Sequence, residues 1–321
     1  MALTLQDLLQ IDLPALLAAL FACVANALVG NYLVLRRQSL LGDAVSHAVL
    51  PGIVGGFLVS GTRTIVPMFA GSLAAAVIAG VLIEAVRRIG RLEAGAAMGV
   101  VFTVMFALGV VLIEQSGARA VDLDAECVLF GQLEDIVWVA ATTPASLLHA
   151  STWADFPREV VQLAAVTALI ALVIVLFWKE LRITAFDPAL ATTLGIPAGL
   201  FHYGLVVLTA IAAIASFEAV GSILVIAMLI CPPATARLLT DRLATQVWMS
   251  AGIGVVCAVL GYGLAAFGPL ALGHDNSLSA AGMIAVVGGV LLAAAALFGP
   301  HHGILGKRRQ ARRIKESPVA A

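Results

Sequence analysis

The chain has 321 residues, 61% of them hydrophobic and only 12% charged, with a formal net charge of -1. A chain this apolar is solvated mainly by lipid, which excludes a soluble globular protein. Its apolar runs are long enough to cross about 30 Å of hydrocarbon as helices and show no barrel-type alternation, so the expected fold is all-α, a polytopic membrane bundle of about nine transmembrane helices.

In chain order the crossings are expected near residues 14–35, 43–60, 66–86, 96–114, 157–178, 199–216, 220–239, 246–266 and 279–299. Cytoplasmic loops retain positive charge, and of the 18 Lys and Arg all but Arg63, Arg119 and Arg158 fall on one side of this layout. The N-terminus is therefore expected outside and the C-terminus in the cytoplasm, which requires an odd number of crossings. The shortest separation lies between the sixth and seventh spans, where only Glu218, Ala219 and the flexible Gly221 intervene. Residues 1–300 form the membrane domain, and 301–321, with His301, His302 and a run of bases, form a cytoplasmic tail attracted to anionic lipid.

The first span is flanked by Asp7 and Asp12 and followed by Arg36 and Arg37, so it reads as a retained crossing, not a secretory leader. Its Asn26 and Asn31 can hydrogen-bond between helices or line a polar path. The second span opens with Asp43 and His47, four residues apart and hence on one helical face. Two readings stand. A carboxylate and a neutral imidazole at this spacing can share a divalent cation, and ionisable groups at membrane depth usually face a bundle interior or an aqueous path. Alternatively Ser39 caps a helix starting at Leu40, Asp43 sits in the first turn favoured by the helix dipole, and His47 is a packing residue. Gly52 with Gly56, and Gly95 with Gly99 in the fourth span, are small-xxx-small pairs that allow close helix approach.

Residues 115–156 make the one long outer segment. It carries Asp122, Asp124, Glu126, Glu134 and Asp135, and the apolar run Ile136 to Ala141 suggests a short helix or re-entrant piece packed into the outer mouth. The excess of acids outside is a field that concentrates cations, and is equally what exporting bases to the cytoplasm leaves behind. On the cytoplasmic side, Lys179 to Pro197 holds a short helical pattern: Asp187 as N-cap, Pro188 at the first helical position, and Gly195 before Pro197 as the stop. This is either a docking helix or an ordinary capped loop. In the seventh span Pro232 and Pro233 remove backbone donors and kink the helix, as in broken helices along transport paths or in a merely bent one. Cys23, Cys231 and Cys257 lie in spans and Cys127 in the outer loop, with no paired metal spacing and no implied disulfide. No GxxxxGK[ST] loop is present, so the chain does not hydrolyse ATP by that route and is not expected to be an enzyme.

Three segments, LRRQSLLGDAVSHAVLPG, FDPALATTLGIP and VGSILVIAMLICPPATARLLTDRL, occur in that order between Tyr32 and Leu292. Together they resemble the integral membrane permeases of bacterial ABC importers for zinc, manganese or iron, and DLDAECVLFGQLED looks most like the manganese and iron branch. The resemblance implies a multi-pass protein of the bacterial inner membrane that pairs with a second copy or a paralogue. It also implies two ABC ATP-binding subunits and an extracytoplasmic metal-binding protein as partners, besides membrane lipid. It implies that Phe186, Asp187, Pro188, Ala191, Gly195 and Pro197 belong to the coupling helix that enters a groove on the ATPase. Asp43 and His47 match the family's acid and histidine, so two protomers would offer two of each to the metal, with Asn26, Glu218, Pro232 and Pro233 as pathway candidates. An oxygen and nitrogen donor set without thiolate suits manganese, zinc or ferrous iron. The metal is cargo; no permanently bound cofactor and no nucleic acid are expected. The alternative, a proton- or ion-coupled secondary metal transporter, would need paired broken helices and no docking loop, and no inverted repeat is visible.

Overall fold

The computed structural model of the protein describes residues 5–38, 40–61, 65–115, 131, 133–271, 278–299 and 303–304. Among them the regular structure is entirely helical. The expectations for Ser39, for Asp122 to Phe130, for Arg63 and Arg119, and for the histidines and bases of the tail fall outside these residues. The long helices are α1 (Leu13–Leu35), α2 (Leu40–Ser60), α3 (Ile65–Gly90), α4 (Ala94–Gln115) and α5 (Arg158–Leu176). Two short helices follow, α6 (Trp178–Phe186) and α7 (Pro188–Thr193), then α8 (Ala198–Val220), α9 (Ser222–Leu239), α10 (Leu243–Ala271) and α11 (Ala280–Phe298).

Seven of the described stretches are long and apolar enough to cross a membrane, and α2 and α9 carry the shorter apolar helices His47–Ser60 and Leu224–Leu239. Helices are the expected solution, because hydrocarbon offers the backbone no hydrogen-bond partner and each segment must satisfy its own. The centre of the bundle is α1. Of its apolar window, 67% is buried, against 22% for α5 and for α11, and it packs on α5, α8, α9 and α10. Its buried side is built from Ala15, Ala18, Ala19, Ala22, Ala25 and Gly30, small residues that let neighbouring backbones come close. The helices α2, α3 and α4 form a second group, joined to the first mainly through α8.

Glycines set the closest approaches. Gly52 and Gly56 of α2 meet the backbone of α3 at Gly71 and Pro67, where a Cβ would collide. The pair Gly95 and Gly99 does not repeat this: space around Gly99 is open, so α4 uses larger side chains against its neighbours. One other expectation is corrected. Glu218 and Ala219 do not separate the sixth and seventh spans but continue α8 to Val220; the break is the single residue Gly221, at φ 84° and ψ 152°. The helical pattern expected between Lys179 and Pro197 is made by two helices, α7 and the preceding α6, whose Leu181, Thr184 and Ala185 are buried.

The described part of the long loop runs through a 3-10 turn, Leu133–Asp135, a stretch without regular structure, a second 3-10 turn, Pro144–Leu148, and a short helix, Ala150–Ala154. Leu133, Ile136, Trp138 and Ala141 are buried. Trp138 N–H donates to the Gln10 carbonyl at 2.7 Å, Gln10 Nε2 donates back to Val139 O at 2.8 Å, and Glu134 accepts from the Ala280 N–H at the start of α11 at 2.7 Å. The segment thus packs between the N-terminal ends of α1 and α11, where these bonds satisfy its polar groups.

Candidate functional site

Asp43 and His47 both lie in the first two turns of α2, one helical turn apart. The side chain of Asp43 is outside the described residues, as is that of Glu218. His47 is half-buried and faces α4. Its ring lies 5.0 Å from Phe102 and 5.5 Å from Phe106, nearly perpendicular to the latter. Such offset and edge contacts fix the imidazole plane and bury its apolar faces. Among the described residues no three of His, Cys, Asp or Glu converge on a metal-sized site.

The polar residues of α1 are used between helices. Asn26 is fully buried, and its Nδ2 donates to Ser216 Oγ of α8 at 2.8 Å as well as to Ala22 O. Its Oδ1 is buried without a partner among the described residues. One turn above, Asn31 donates to Ser250 Oγ at 2.6 Å and accepts from Gln246 Nε2 at 3.0 Å, both on α10. Asn26 is therefore tied to α8 two residues before Glu218, and Asn31 ties α1 to α10; each such bond contributes on average about 0.6 kcal/mol in a membrane bundle. Gln246 and Ser250 were not singled out from the sequence, although a Gln and a Ser one turn apart in an apolar helix are the signal that finds them.

Pro232 and Pro233 are both buried inside α9. Pro233 has no N–H to offer the Leu229 carbonyl, and that carbonyl faces Gly30 of α1. The kink is thus packed against α1 at a position where only a glycine leaves room.

Between α6 and α8, α7 is closed at both ends by local chemistry. Asp187 Oδ1 accepts from the N–H groups of Ala189 at 3.0 Å and Leu190 at 2.9 Å, with Pro188 at the first position. At the other end Ile196 N–H donates to Ala191 O and Gly195 N–H to Thr192 O, the paired bonds of a Schellman stop, with Gly195 at φ +78°. Ala191 is fully buried and anchors the helix. Phe186, the last residue of α6, Leu190 within α7 and Leu194 at its C-cap are 57%, 49% and 60% exposed, so three apolar side chains stand exposed around this short helix. The caps of this segment are legible in the sequence, whereas the exposure of Leu190 and Leu194 depends on how α7 packs through Ala191.

The model of the ABC 3 transport family matches residues 9–152 and 154–298. The chain is 39% identical over 285 residues to the manganese transport system membrane protein MntD of Bacillus subtilis, covering 89% of this chain and 91% of that one. It is 36% identical to the zinc transport system membrane protein TroD of Treponema pallidum, covering 93% and 77%. Its fold is similar to that of PsaBC from Streptococcus pneumoniae in complex with Fab, with a TM-score of 0.72 and 27% identity over 92% of this chain and 94% of the other. The chain is an all-helical, multi-pass membrane protein and belongs to the ABC 3 transport family.

Proposed function

We propose that this chain is the permease subunit of an ABC importer that carries manganese or zinc across the inner membrane into the cytoplasm. The observation that carries the reading is the family match across both halves of the chain, supported by two relatives named for manganese and zinc transport. Iron, which the family likeness also raised, has no support in those names.

In this reading nine helices cross the membrane, α1 to α5 and α8 to α11, with the N-terminus outside and the C-terminus inside. The apolar face of α7 is the part offered to a separate ATP-hydrolysing subunit. A capped helix whose exposed Leu190 is flanked by the exposed Phe186 and Leu194 loses about 25 cal/mol for each Å² of apolar surface it keeps in water, so a cytoplasmic groove is its natural seat. Asp43 and His47 hold the cation transiently on its way through, and a second permease copy supplies a second acid and imidazole. Metal reaches the outer mouth from an extracytoplasmic binding protein.

The test is co-expression with the ATPase and the metal-binding protein encoded beside it. The purified assembly should hydrolyse ATP faster when the binding protein carries manganese or zinc. An ATPase that neither co-purifies nor responds to loaded binding protein would overturn the reading.

A further inference from the structure

A cavity of about 450 Å³ opens where the C-terminal ends of α1 and α3 meet the start of α8, with α6 and α7 closing one side. Its walls carry Arg36, Arg37, Arg87 and Arg88 against a single carboxylate, Glu84. That carboxylate is already engaged: Glu84 Oε1 accepts from Arg88 Nε at 2.6 Å and from Arg87 Nη2 at 3.4 Å. Arg36 is left with neutral neighbours. Its Nη2 donates to Thr184 Oγ1 at 3.1 Å and its Nη1 lies 3.3 Å from His202 Nδ1. Its Nε is buried with no acceptor among the described residues.

A guanidinium out of water is stable only beside an anion or a full set of acceptors, and Arg36 has neither, since Glu84 is engaged by Arg87 and Arg88 and the buried Gln38 Oε1 in the same walls has no partner among the described residues. Burial lowers the pKa of Arg36 from its usual value, the sign expected of a cation desolvated without an acid beside it. The first turn of α8, at Ala198 and Gly199, also lines the cavity, and its N-cap Pro197 provides no side-chain acceptor. Forked donors from several arginines around one volume match an oxyanion with three or four acceptor oxygens better than a lone carboxylate. The arginines stand at helix ends, where the positive-inside distribution puts the level of the inner-leaflet headgroups.

We propose that this cavity binds a phosphate group, supplied by the headgroup of an anionic phospholipid or by free inorganic phosphate. Thr184, Ala185 and Pro188 line the same cavity, so a bound phosphate braces α6 and the start of α7. Binding itself does not depend on the transport reading; only its consequence for coupling through α7 does.

The experiment uses the full chain purified in a neutral detergent without partners. Its unfolding midpoint is followed while inorganic phosphate replaces chloride at constant ionic strength, and separately in nanodiscs of phosphatidylglycerol or phosphatidylcholine. Native mass spectrometry counts retained lipid. Stabilisation by inorganic phosphate in lipid-free detergent identifies the soluble anion as a source. Stabilisation by phosphatidylglycerol alone, with that lipid retained, identifies the headgroup. In either case Arg36→Gln should weaken the response at least about tenfold, the effect of one lost charge-assisted hydrogen bond, and Arg36→Lys should restore only part of it. Should Arg36→Gln not fold, Arg88→Gln, whose side chain is 75% exposed, serves as the second variant. Wild-type protein that responds to neither probe, or variants that respond as wild type does, would overturn the proposal. So would loss of ATPase association by Arg36→Gln without any anion response, since the arginines would then belong to a partner's acidic side chain.

Discussion

Gly30 of α1 and Pro233 of α9 are fitted to each other: a Cβ on Gly30 would lie 2.9 Å from Pro233 Cγ and would collide with the Leu229 carbonyl that Pro233 cannot bond. The proline frees an acceptor and the glycine admits it to the most buried helix of the bundle. Gly30→Leu should therefore misfold or lower the thermal midpoint in detergent by several degrees, at the upper end of overpacking costs of about 1–3 kcal/mol. Fluorescence-detected size exclusion after heating checks it. An unchanged midpoint would mean that α1 and α9 can separate without loss.

The bonds of Asn31 to Gln246 and Ser250 are the second internal tie. A double-mutant cycle of Asn31→Ala with Gln246→Ala should give a coupling of about 0.6 kcal/mol, and no more than about 1.7 kcal/mol. Additive effects of the two substitutions on unfolding would remove the interaction from the account.

Phe186, Leu190 and Leu194 are predicted to dock the ATPase, while Asp187 and Gly195 shape the helix between Phe186 and Leu194. Leu190→Glu and Leu194→Glu should leave insertion and thermal stability unchanged, because both side chains already face out, and should abolish ATPase co-purification. Asp187→Ala should cost the cap about 1 kcal/mol and reduce transport, with Asp187→Asn nearly neutral for stability. Gly195→Val forces a β-branched residue into the left-handed region, at about 1–2 kcal/mol, and should also impair coupling. Normal association of Leu190→Glu with the ATPase would move the docking surface elsewhere.

What could be read from the sequence was what short-range chemistry decides. Asp187, Pro188 and Gly195 each act within one turn of their own position, so start and stop of α7 were visible, and so were the helices themselves as apolar runs. Glu218 looked like a break because hydropathy dips at an acid, yet the backbone turns only where Gly221 takes a positive φ. The helical pattern after Lys179 is legible too, but the sequence names caps only for α7, while α6 is fixed by packing Leu181, Thr184 and Ala185 on the bundle. The contacts of Asn26 with Ser216 and of His47 with Phe102 span long stretches of chain. Spacing can put a residue on a face, but which helix that face meets is decided by the tertiary fold.

His47 has its ring held by Phe102 and Phe106, which separates its two candidate roles. His47→Phe keeps an aromatic ring in that niche and removes both nitrogens, so the packing role predicts normal protein and normal transport. The metal role predicts normal abundance and a severe loss of uptake, and Asp43→Asn, which removes charge with little change of shape, should match it.

The most direct measurement of the central claim is ATP-dependent uptake of manganese and zinc into proteoliposomes containing the permease, its ATPase and loaded binding protein. The account predicts accumulation of at least one of the two metals that requires ATP, is lost in Leu190→Glu, and falls at least about tenfold in Asp43→Asn and His47→Phe, the effect of about 1.4 kcal/mol. Accumulation of neither metal by an assembly that hydrolyses ATP, or uptake that proceeds without ATP, would contradict it.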